Sequence, residues 1–516
     1  MRQGDPLDLL VIGGGINGAG VARDAAGRGL SVLLCEQADL ASGTSSASSK
    51  LIHGGLRYLE QYEFRLVREA LAEREVLLGI APHIIWPLRF VLPHDRMLRP
   101  AWMLRIGLFL YDHLSGRRRL PGSRGVRLQG RPEGAGLAPL RKRGFEYSDC
   151  WVDDSRLVVL NALDAAERGA RIATRTRFLR AQRQDGVWEA TLEDTTRGEP
   201  FTERARALVN AAGPWIAGVL RGGFGLRDYQ HLALVKGSHI VVPRVHGEPH
   251  AYILQHTDRR VVFIIPFLER FSLIGTTDLP FHGDPAQAAC TPGEVEYLCA
   301  AVNRYLAAPI GPADVIWSFA GVRPLYNDKA DDPSAISREY VLELHGARGE
   351  PPMISLIGGK ITAYRQVAER ALEELKPWFP AMGRTWTERA PLPGGDVPDG
   401  DFDAFLARLR AERPWLPAHL ATRLARAYGT RAQGLLAGAV SPDDLGHAFG
   451  GGLYEREVRY LLEHEWARTA EDILWRRSKL GLFLTPYEAQ ALETWLREHA
   501  PAAALAREAA LAGAGS

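Results

Sequence analysis

The fold of the amino-terminal part is decided at residues 7–20, which read LDLLVIGGGINGAG. The first half is a short apolar run typical of a buried β-strand, and Gly13, Gly15 and Gly18 then follow the spacing G-x-G-x-x-G. In this motif the first glycine permits a tight turn, the second lets a phosphate approach the backbone, and the third lets the next helix pack on the strand. The sequence predicts that helix over about residues 17–28.

A second apolar run, residues 31–35, ends at Glu36, which lies 18 residues beyond Gly18. An acidic side chain at this position can bond the hydroxyls of an adenosine ribose. A glycine motif alone matches many loops by chance, but here a strand, a helix, a second strand and an acidic residue are in register. The sequence therefore predicts a dinucleotide-binding βαβ unit over residues 7–36.

The segment after Glu36 bears on which dinucleotide is bound. Residues 44–50 read TSSASSK and run directly into LIHGGLRY at residues 51–58. Small hydroxyl residues and glycines suit a loop that passes a long cofactor with phosphates and a ribityl chain. A serine-rich surface linker is the alternative for residues 45–49, but it explains less well why the loop enters a mixed apolar and charged segment. This pattern favours FAD over NAD.

Composition limits the classes of protein. The chain has 516 residues, which predicts two or three domains, and 46% hydrophobic and 24% charged residues are ordinary for a globular protein. A net charge of +2 gives no bulk electrostatic reason to expect a nucleic-acid partner. The four cysteines have no CxxC spacing and the histidines form no ligand cluster, so we expect a reduced, cytoplasmic setting and no metal. We expect neither a signal peptide nor a membrane-spanning segment.

The remaining patterns predict an α/β plus α+β protein of discontinuous domains. Alternating strands between residues 235 and 345 indicate an antiparallel substrate domain inserted into the cofactor domain. Near Ile354 the chain returns through a strand–glycine–helix junction, whose helix amides would face the electron-rich edge of a flavin. The expected ranges are 7–80, 150–235 and 310–385 for the cofactor domain, 81–149 and 236–309 for the substrate domain, 386–401 for a linker, 402–500 for an all-helical domain, and 501–516 for a flexible tail.

Four further motifs are specific: SSKLIHGGLRYL at 48–59, FAGVRPL at 319–325, GGKIT at 358–362 and EHEWART at 463–469. With the glycine motif, they make the chain resemble the FAD-dependent, respiratory sn-glycerol-3-phosphate dehydrogenases over about residues 7–492. The resemblance implies a Rossmann-like FAD domain of the glutathione-reductase/D-amino-acid-oxidase type. It also implies oxidation of glycerol 3-phosphate to dihydroxyacetone phosphate, with electrons passed to membrane quinone.

The motifs also supply candidate residues. A phosphate dianion requires fixed cations, and the planar guanidinium group suits it best. The candidate substrate-binding residues are Arg57, Tyr58, Arg323, Arg338 and Lys360, although a surface ion pair is the commoner role of any single arginine. The candidate cofactor-binding residues are Gly13, Gly15, Asn17, Gly18, Glu36, Thr44, Ser45, Ser48, Ser49, Lys50, Leu51, Ala212, Gly213, Gly321, Gly358, Gly359, Lys360, Ile361 and Thr362.

Removal of a hydride from carbon 2 of the substrate requires a base for the adjacent hydroxyl proton. Histidine has a suitable proton affinity near neutral pH. His53, between the hydroxyl-rich turn and Arg57, is the first candidate, and His239 is the second. A lone histidine is more often structural than catalytic.

One segment suggests contact with a membrane. Residues 100–111 read PAWMLRIGLFLY, and three arginines follow at 117–119. This suits a helix lying in the headgroup region, although a buried helix with a solvated basic end fits the same pattern. Since the resemblance implies a quinone acceptor, we expect a peripheral protein on the inner face of the cytoplasmic membrane, and a homodimer formed through the C-terminal helices.

Three other functions remain open from the sequence. The first is an oxidase of the same substrate that passes electrons to O2. The second is an oxidase of the D-amino-acid or glycine type. The third is a flavin-containing protein without turnover that binds a membrane or a partner.

Overall fold

The computed structural model describes residues 5–94, 100–115, 119–226, 232–256, 258, 260–326, 339–347 and 349–513, without the side chains of residues 57, 60, 61 and 500–513. Its strands are β1 (Leu7–Ile12), β2 (Val32–Glu36), β3 (Leu51–Ile52), β4 (Ile85–Pro93), β5 (Arg124–Arg127), β6 (Arg143–Val152), β7 (Arg171–Thr174), β8 (Thr176–Gln184), β9 (Val187–Asp194), β10 (Glu199–Asn210), β11 (Leu232–Pro243), β12 (Ala251–Gln255), β13 (Val261–Phe267), β14 (Phe271–Gly275), β15 (Leu279–Pro280), β16 (Trp317–Tyr326), β17 (Val341–His345), β18 (Met353–Ile357), β19 (Ala448–Gly450) and β20 (Leu453–Tyr454).

The α-helices connect and cover these strands. They are α1 (Ile16–Gly27), α2 (Phe64–Ile80), α3 (Ala101–His113), α4 (Asp154–Glu167), α5 (Ile216–Phe224), α6 (Pro292–Asn303), α7 (Tyr364–Leu375), α8 (Phe402–Glu412), α9 (Ala418–Tyr428), α10 (Ala432–Leu435), α11 (Glu455–His464) and α12 (Pro486–Gly513).

The first sheet has the strand order β17-β18-β10-β1-β2-β7, with β8 and β9 attached through β10. β1 runs parallel to both β10 and β2, and α1, α4 and α7 cover one face with a core of alanine, valine and leucine side chains. The strand–glycine–helix–strand unit predicted for residues 7–36 is confirmed. Because these strands are parallel, their carboxyl ends meet at one edge, where a dinucleotide binds in such folds.

The second sheet is mostly antiparallel and has the order β15-β11-β14-β13-β12-β4-β6-β3. β16 joins it by pairing with β11 at every position from Trp317 to Tyr326. The sequence had grouped residues 310–385 with the cofactor domain, so this assignment is corrected for 317–326. The expected boundaries at 149 and 235 also fall within β6 and β11, which both belong to the second sheet.

The C-terminal part, residues 402–513, has its own core around α8, α9, α11 and α12. It is not wholly helical, because β19 and β20 form a hairpin whose glycines, Gly450, Gly451 and Gly452, have positive φ. The segment 501–516 had been expected as a flexible tail, but α12 continues as a helix to Gly513. A run rich in alanine needs little packing to remain helical, since alanine has the highest helix propensity.

α3 presents an apolar face to solvent. The exposed fractions of Trp102, Ile106 and Phe109 are 67%, 53% and 60%, whereas Leu108 and Tyr111 on the opposite face are buried. In the part of the chain that the structure describes, no helix is both long enough and apolar enough to cross a membrane.

Candidate active site

A cleft runs along the carboxyl edge of the first sheet and continues beneath the second. It encloses about 2030 Å³ including its open mouth. Its walls contain most of the residues that the sequence selected: Gly13, Gly15, Asn17, Glu36, Thr44, Ser45, Ser48, Ser49, Leu51, His53, Tyr58, Ala212, Gly213, His239, Gly321, Arg323, Gly358, Gly359, Lys360 and Ile361.

The glycine turn forms one end of the cleft. Gly13 has φ +109°, and a Cβ there would lie 2.6 Å from the carbonyl oxygen of Ala211. A Cβ on Gly18 would lie 1.9 Å from the Gly13 oxygen, so Gly18 acts through packing and does not line the cleft. Gly15 is the N-cap of α1 and has no side chain, and the N–H of Ile16 donates to the Ser45 hydroxyl oxygen at 3.0 Å. The N-terminus of a helix on a cleft is a site for a phosphate group.

Glu36 lies at the end of β2, on the cleft wall beside this turn. Its carboxylate accepts hydrogen bonds from the backbone N–H groups of Gly14, at 2.7 Å, and Ala38, at 2.9 Å. Burial raises the pKa of this carboxyl group above its usual value. The two backbone donors fix the carboxylate at the position where the sequence predicts contact with the ribose hydroxyls.

Hydrogen bonds to Asp154 hold the hydroxyl-rich turn in place. The Ser48 hydroxyl donates to Asp154 at 2.7 Å, and the Lys50 ammonium group donates to the same carboxylate at 2.7 Å. Lys50 is only 1% exposed and is not among the residues that line the cleft, and its role as a cofactor-binding residue stays a prediction. A buried lysine requires a paired carboxylate, and Asp154 at the start of α4 provides it.

The glycine junction after β18 forms another wall. Gly358 and Gly359 both have positive φ, and the side-chain amide of Asn17 donates to the Gly358 carbonyl at 3.4 Å. A single 3-10 turn, Ile361–Ala363, precedes α7, so the helix of the predicted junction begins at Tyr364. Thr362 is buried and is not among the residues that line the cleft, and its role as a cofactor contact stays a prediction.

Thr362 supports a candidate base. The backbone N–H of His53 donates to the Thr362 hydroxyl oxygen at 3.2 Å, and that hydroxyl donates to the His53 carbonyl at 3.4 Å. The half-buried His53 side chain lines the cleft. The glycine junction therefore fixes the backbone of His53 from one side.

His239 also lines the cleft but is only 3% exposed. Its Nε2 lies 2.8 Å from the Ser49 hydroxyl oxygen, and its ring stacks on Phe319 with centroids 4.9 Å apart. Burial, reinforced by the positive charges of Lys50 and Arg323, lowers the pKa of His239 to about 3. This imidazole is consequently neutral near pH 7.

The candidate phosphate-binding cations lie on the same wall. Arg323 donates to the carboxylate of Asp278, while the Lys360 ammonium group lies 3.8 Å from the centroid of the Tyr58 ring. The structure thus places Lys360 against Tyr58, and Arg323 lines the same cleft. Arg338 and the side chain of Arg57 lie outside the described residues.

Sequence reasoning missed several wall residues. Thr276, Phe263 and Trp215 line the cleft, and Asp278 pairs with Arg323. The acidic residue in the sequence TTD at 276–278 directly follows a predicted strand, which was the available signal. Its partner lies 45 residues further along the chain, and only the sheet brings them together.

These features fit a bound FAD. The turn at Gly13 and Gly18 leaves no space for side chains, the start of α1 lines the cleft, and the cleft extends past Glu36 to the glycine junction at Gly358. A mononucleotide would occupy only the first part of such a cleft.

Comparison with known proteins agrees with this geometry. A family model described as FAD dependent oxidoreductase matches residues 8–365, and one described as the C-terminal domain of alpha-glycerophosphate oxidase matches residues 385–506. The chain is 56% identical over 497 residues to the glycerol-3-phosphate dehydrogenase of Pseudomonas aeruginosa, which covers 96% of both chains. It is 52% identical over 495 residues to the D-erythritol 1-phosphate dehydrogenase of Brucella abortus, covering 96% of this chain and 98% of the relative.

A solved structure shares the whole architecture. The glycerol-3-phosphate dehydrogenase from Bacillus halodurans, complexed with FAD, superimposes with a TM-score of 0.73 at 27% identity, covering 96% of this chain and 95% of that one. The resemblance noted from the sequence motifs is confirmed. This chain therefore belongs to the FAD-dependent oxidoreductases and, within them, to the family of the FAD-dependent glycerol-3-phosphate dehydrogenases.

Proposed function

We propose that this protein oxidises sn-glycerol 3-phosphate to dihydroxyacetone phosphate and passes the electrons to membrane quinone. The observation that carries this proposal is that Arg323, Lys360, Tyr58, His53 and His239 all line the same cleft, and the Lys360 ammonium group contacts the Tyr58 ring. Two cations suit a phosphate dianion, and a histidine suits a hydroxyl proton, although the lowered pKa of His239 makes that imidazole the weaker proton acceptor of the two. FAD, when bound, supplies the two-electron acceptor for the hydride.

The residues of the chain have separate roles in this proposal. Lys360 and Arg323 bind the substrate phosphate, and Asp278 orients the Arg323 guanidinium group. As the hydride leaves carbon 2 with the C–H electron pair, the hydroxyl proton passes to a histidine, so that a carbonyl forms. We assign this proton to His53, and His239 is the second candidate because Ser49 and Phe319 already fix its ring.

The acceptor is the finer part of the proposal. The exposed apolar face of α3 suits a protein that reaches quinone by lying on the inner face of the cytoplasmic membrane. Transfer to O2 is the alternative, and comparing hydrogen peroxide formation with quinone reduction during turnover distinguishes the two. Pairing of two copies through the C-terminal helices is a further proposal, tested by sedimentation.

An anaerobic titration tests the substrate. Glycerol 3-phosphate is expected to bleach the flavin absorbance at stoichiometric amounts. D-erythritol 1-phosphate is the second candidate, because a relative of comparable identity is named for it. Bleaching by an amino acid instead would indicate the amino-acid oxidase alternative, and no bleaching by any of them would indicate a flavin-containing protein without turnover.

A further inference from the structure

A buried network of hydrogen bonds lies next to the loop that follows His53 (the His53 loop, residues 53–58), outside the cleft. Asp149 on β6 is 2% exposed and accepts hydrogen bonds from Arg74 Nη1, at 2.8 Å, and from the hydroxyl of Tyr111, at 2.7 Å to Oδ1. Burial raises the pKa of the Asp149 carboxyl group, while the Arg74 guanidinium acts to lower it. A buried carboxylate requires such partners, but this network of hydrogen bonds extends beyond Arg74 and Tyr111.

The network ends at Gly54 in the His53 loop. The Tyr111 hydroxyl accepts a hydrogen bond from the backbone N–H of Gly54 at 2.9 Å. A Cβ on Gly54 would lie 2.8 Å from that hydroxyl oxygen and 2.5 Å from a methyl carbon of Leu71. The close contact therefore requires glycine at this position, and the hydroxyl of Tyr111 meets the amide directly.

Gly54 lies between the candidate base and a turn that carries another wall residue. Gly55 has φ +82°, and its carbonyl accepts the N–H of Tyr58 at 2.9 Å. On the opposite side, Thr362 holds both backbone polar groups of His53. The His53–Gly54 segment is thus held between Thr362 and Tyr111.

We infer that Tyr111 and Asp149 are positioning residues for His53. Neither side chain lines the cleft, so both act only by fixing the Gly54 amide. The Asp149 carboxylate polarises the Tyr111 hydroxyl, which strengthens the hydrogen bond that this hydroxyl accepts from the Gly54 N–H. This inference rests on the proposed function, because it takes His53 as the residue that accepts the hydroxyl proton of the substrate.

The test is Tyr111→Phe, which removes one hydroxyl and keeps the buried ring. The matched control is Tyr147→Phe, since Tyr147 is also buried, stacks on Phe90 and meets Tyr111 edge to face at 5.7 Å. Loss of a hydrogen bond of ordinary strength predicts that Tyr111→Phe lowers kcat roughly tenfold, with KM changed less than about twofold and full FAD content. The control is expected to leave all three unchanged.

Hydrogen–deuterium exchange gives a second readout that does not depend on turnover. In Tyr111→Phe the peptide covering residues 53–58 is expected to exchange roughly tenfold faster, because its local opening loses one hydrogen bond. Equal exchange in both variants, or faster exchange with unchanged kcat, would overturn the inference. If the wild-type protein does not oxidise glycerol 3-phosphate at all, the proposed function fails, while the exchange comparison still decides whether Tyr111 holds the loop.

Discussion

Arg477 donates two parallel hydrogen bonds to Asp39, from Nη1 to Oδ2 at 2.8 Å and from Nη2 to Oδ1 at 2.9 Å, with both side chains buried. Asp39 follows Glu36 in the loop that leaves the cleft, and Arg477 ends the π-helical turn Asp472–Arg477 of the C-terminal part. Arg476 donates to the same carboxylate at 2.7 Å. The C-terminal part is therefore tied by charge to the segment that carries the ribose-binding candidate.

Replacing the Asp39 carboxylate tests whether this ion pair holds the C-terminal part to the segment after Glu36. Asp39→Asn removes the carboxylate that pairs directly with Arg477 and leaves it with the more distant carboxylate of Glu465 at 3.8 Å, and breaking the buried pair is expected to lower the free energy of unfolding by about 3 to 5 kcal/mol. Urea unfolding followed by tryptophan fluorescence measures the loss. Glu203→Gln is the matched control, because its partner Arg171 is half exposed and such pairs contribute at most about 1 kcal/mol. Similar losses in the two variants would contradict the structural role of Asp39.

Lys360 is predicted to bind the phosphate of the substrate. Lys360→Met removes a charge-assisted hydrogen bond worth about 2 to 3 kcal/mol, so kcat/KM for glycerol 3-phosphate is expected to fall roughly 30- to 150-fold. The same variant is expected to match the wild type with glycerol, which has no phosphate. Lys376→Met, with an exposed side chain beyond the end of α7, serves as the control. An equal loss with both substrates would show that Lys360 does not act through the phosphate.

Gly18 is predicted to tolerate no side chain. Gly18→Ala places a methyl group against the Gly13 carbonyl, which forces the turn at the end of β1 to move. Overpacking of this kind costs about 1 to 3 kcal/mol, and the expected result is protein purified with little flavin absorbance. Gly218→Ala in α5, where a Cβ meets nothing within 4 Å, is expected to retain its flavin. Full flavin content in the Gly18 variant would contradict this reading of the turn.

The neutral state of His239 predicts a pH dependence of stability. Its pKa in the folded protein is about 3, below its value in the unfolded chain, so the unfolded state binds more protons between about pH 6.5 and 3. Stability therefore falls as the pH drops through this window, by up to about 1.4 kcal/mol per pH unit for this group. His239→Asn is expected to lessen the fall, measured by urea unfolding at several pH values. His419→Asn, at an exposed position of α9, should leave the slope unchanged, and equal slopes in all three proteins would refute the prediction.

The apolar face of α3 is predicted to contact lipid. Replacing Trp102, Ile106 and Phe109 together by serine removes exposed apolar surface, and vesicle binding is expected to weaken at least about tenfold. Co-sedimentation with vesicles that contain anionic lipid measures this. The control replaces Leu140, Val440 and Tyr487, which are also exposed, by serine. If both triple variants bind vesicles like the wild type, α3 is not the contact.

Some features could be predicted because the interactions that create them are close in sequence. The turn at Gly13, the start of α1 and the carboxylate of Glu36 all belong to one βαβ unit, whose spacing is set by helix and strand geometry. Most of the residues selected from the sequence also line the cleft. Lys50 and Thr362 were assigned to the cofactor because they belong to the motif strings, although neither is among the residues that line the cleft.

The sequence by itself determined the dinucleotide turn, because residue spacing within a strand–helix–strand unit leaves few alternative conformations, and its specific motif strings identified the family. Only the tertiary structure decided that Asp278 pairs with Arg323, that Thr362 and Tyr111 hold the His53 loop, and that Arg477 reaches Asp39. These partners are separated by 45 to 438 residues. Their contacts exist because the packing of two sheets and a helical domain buries charges and amides that must then find partners.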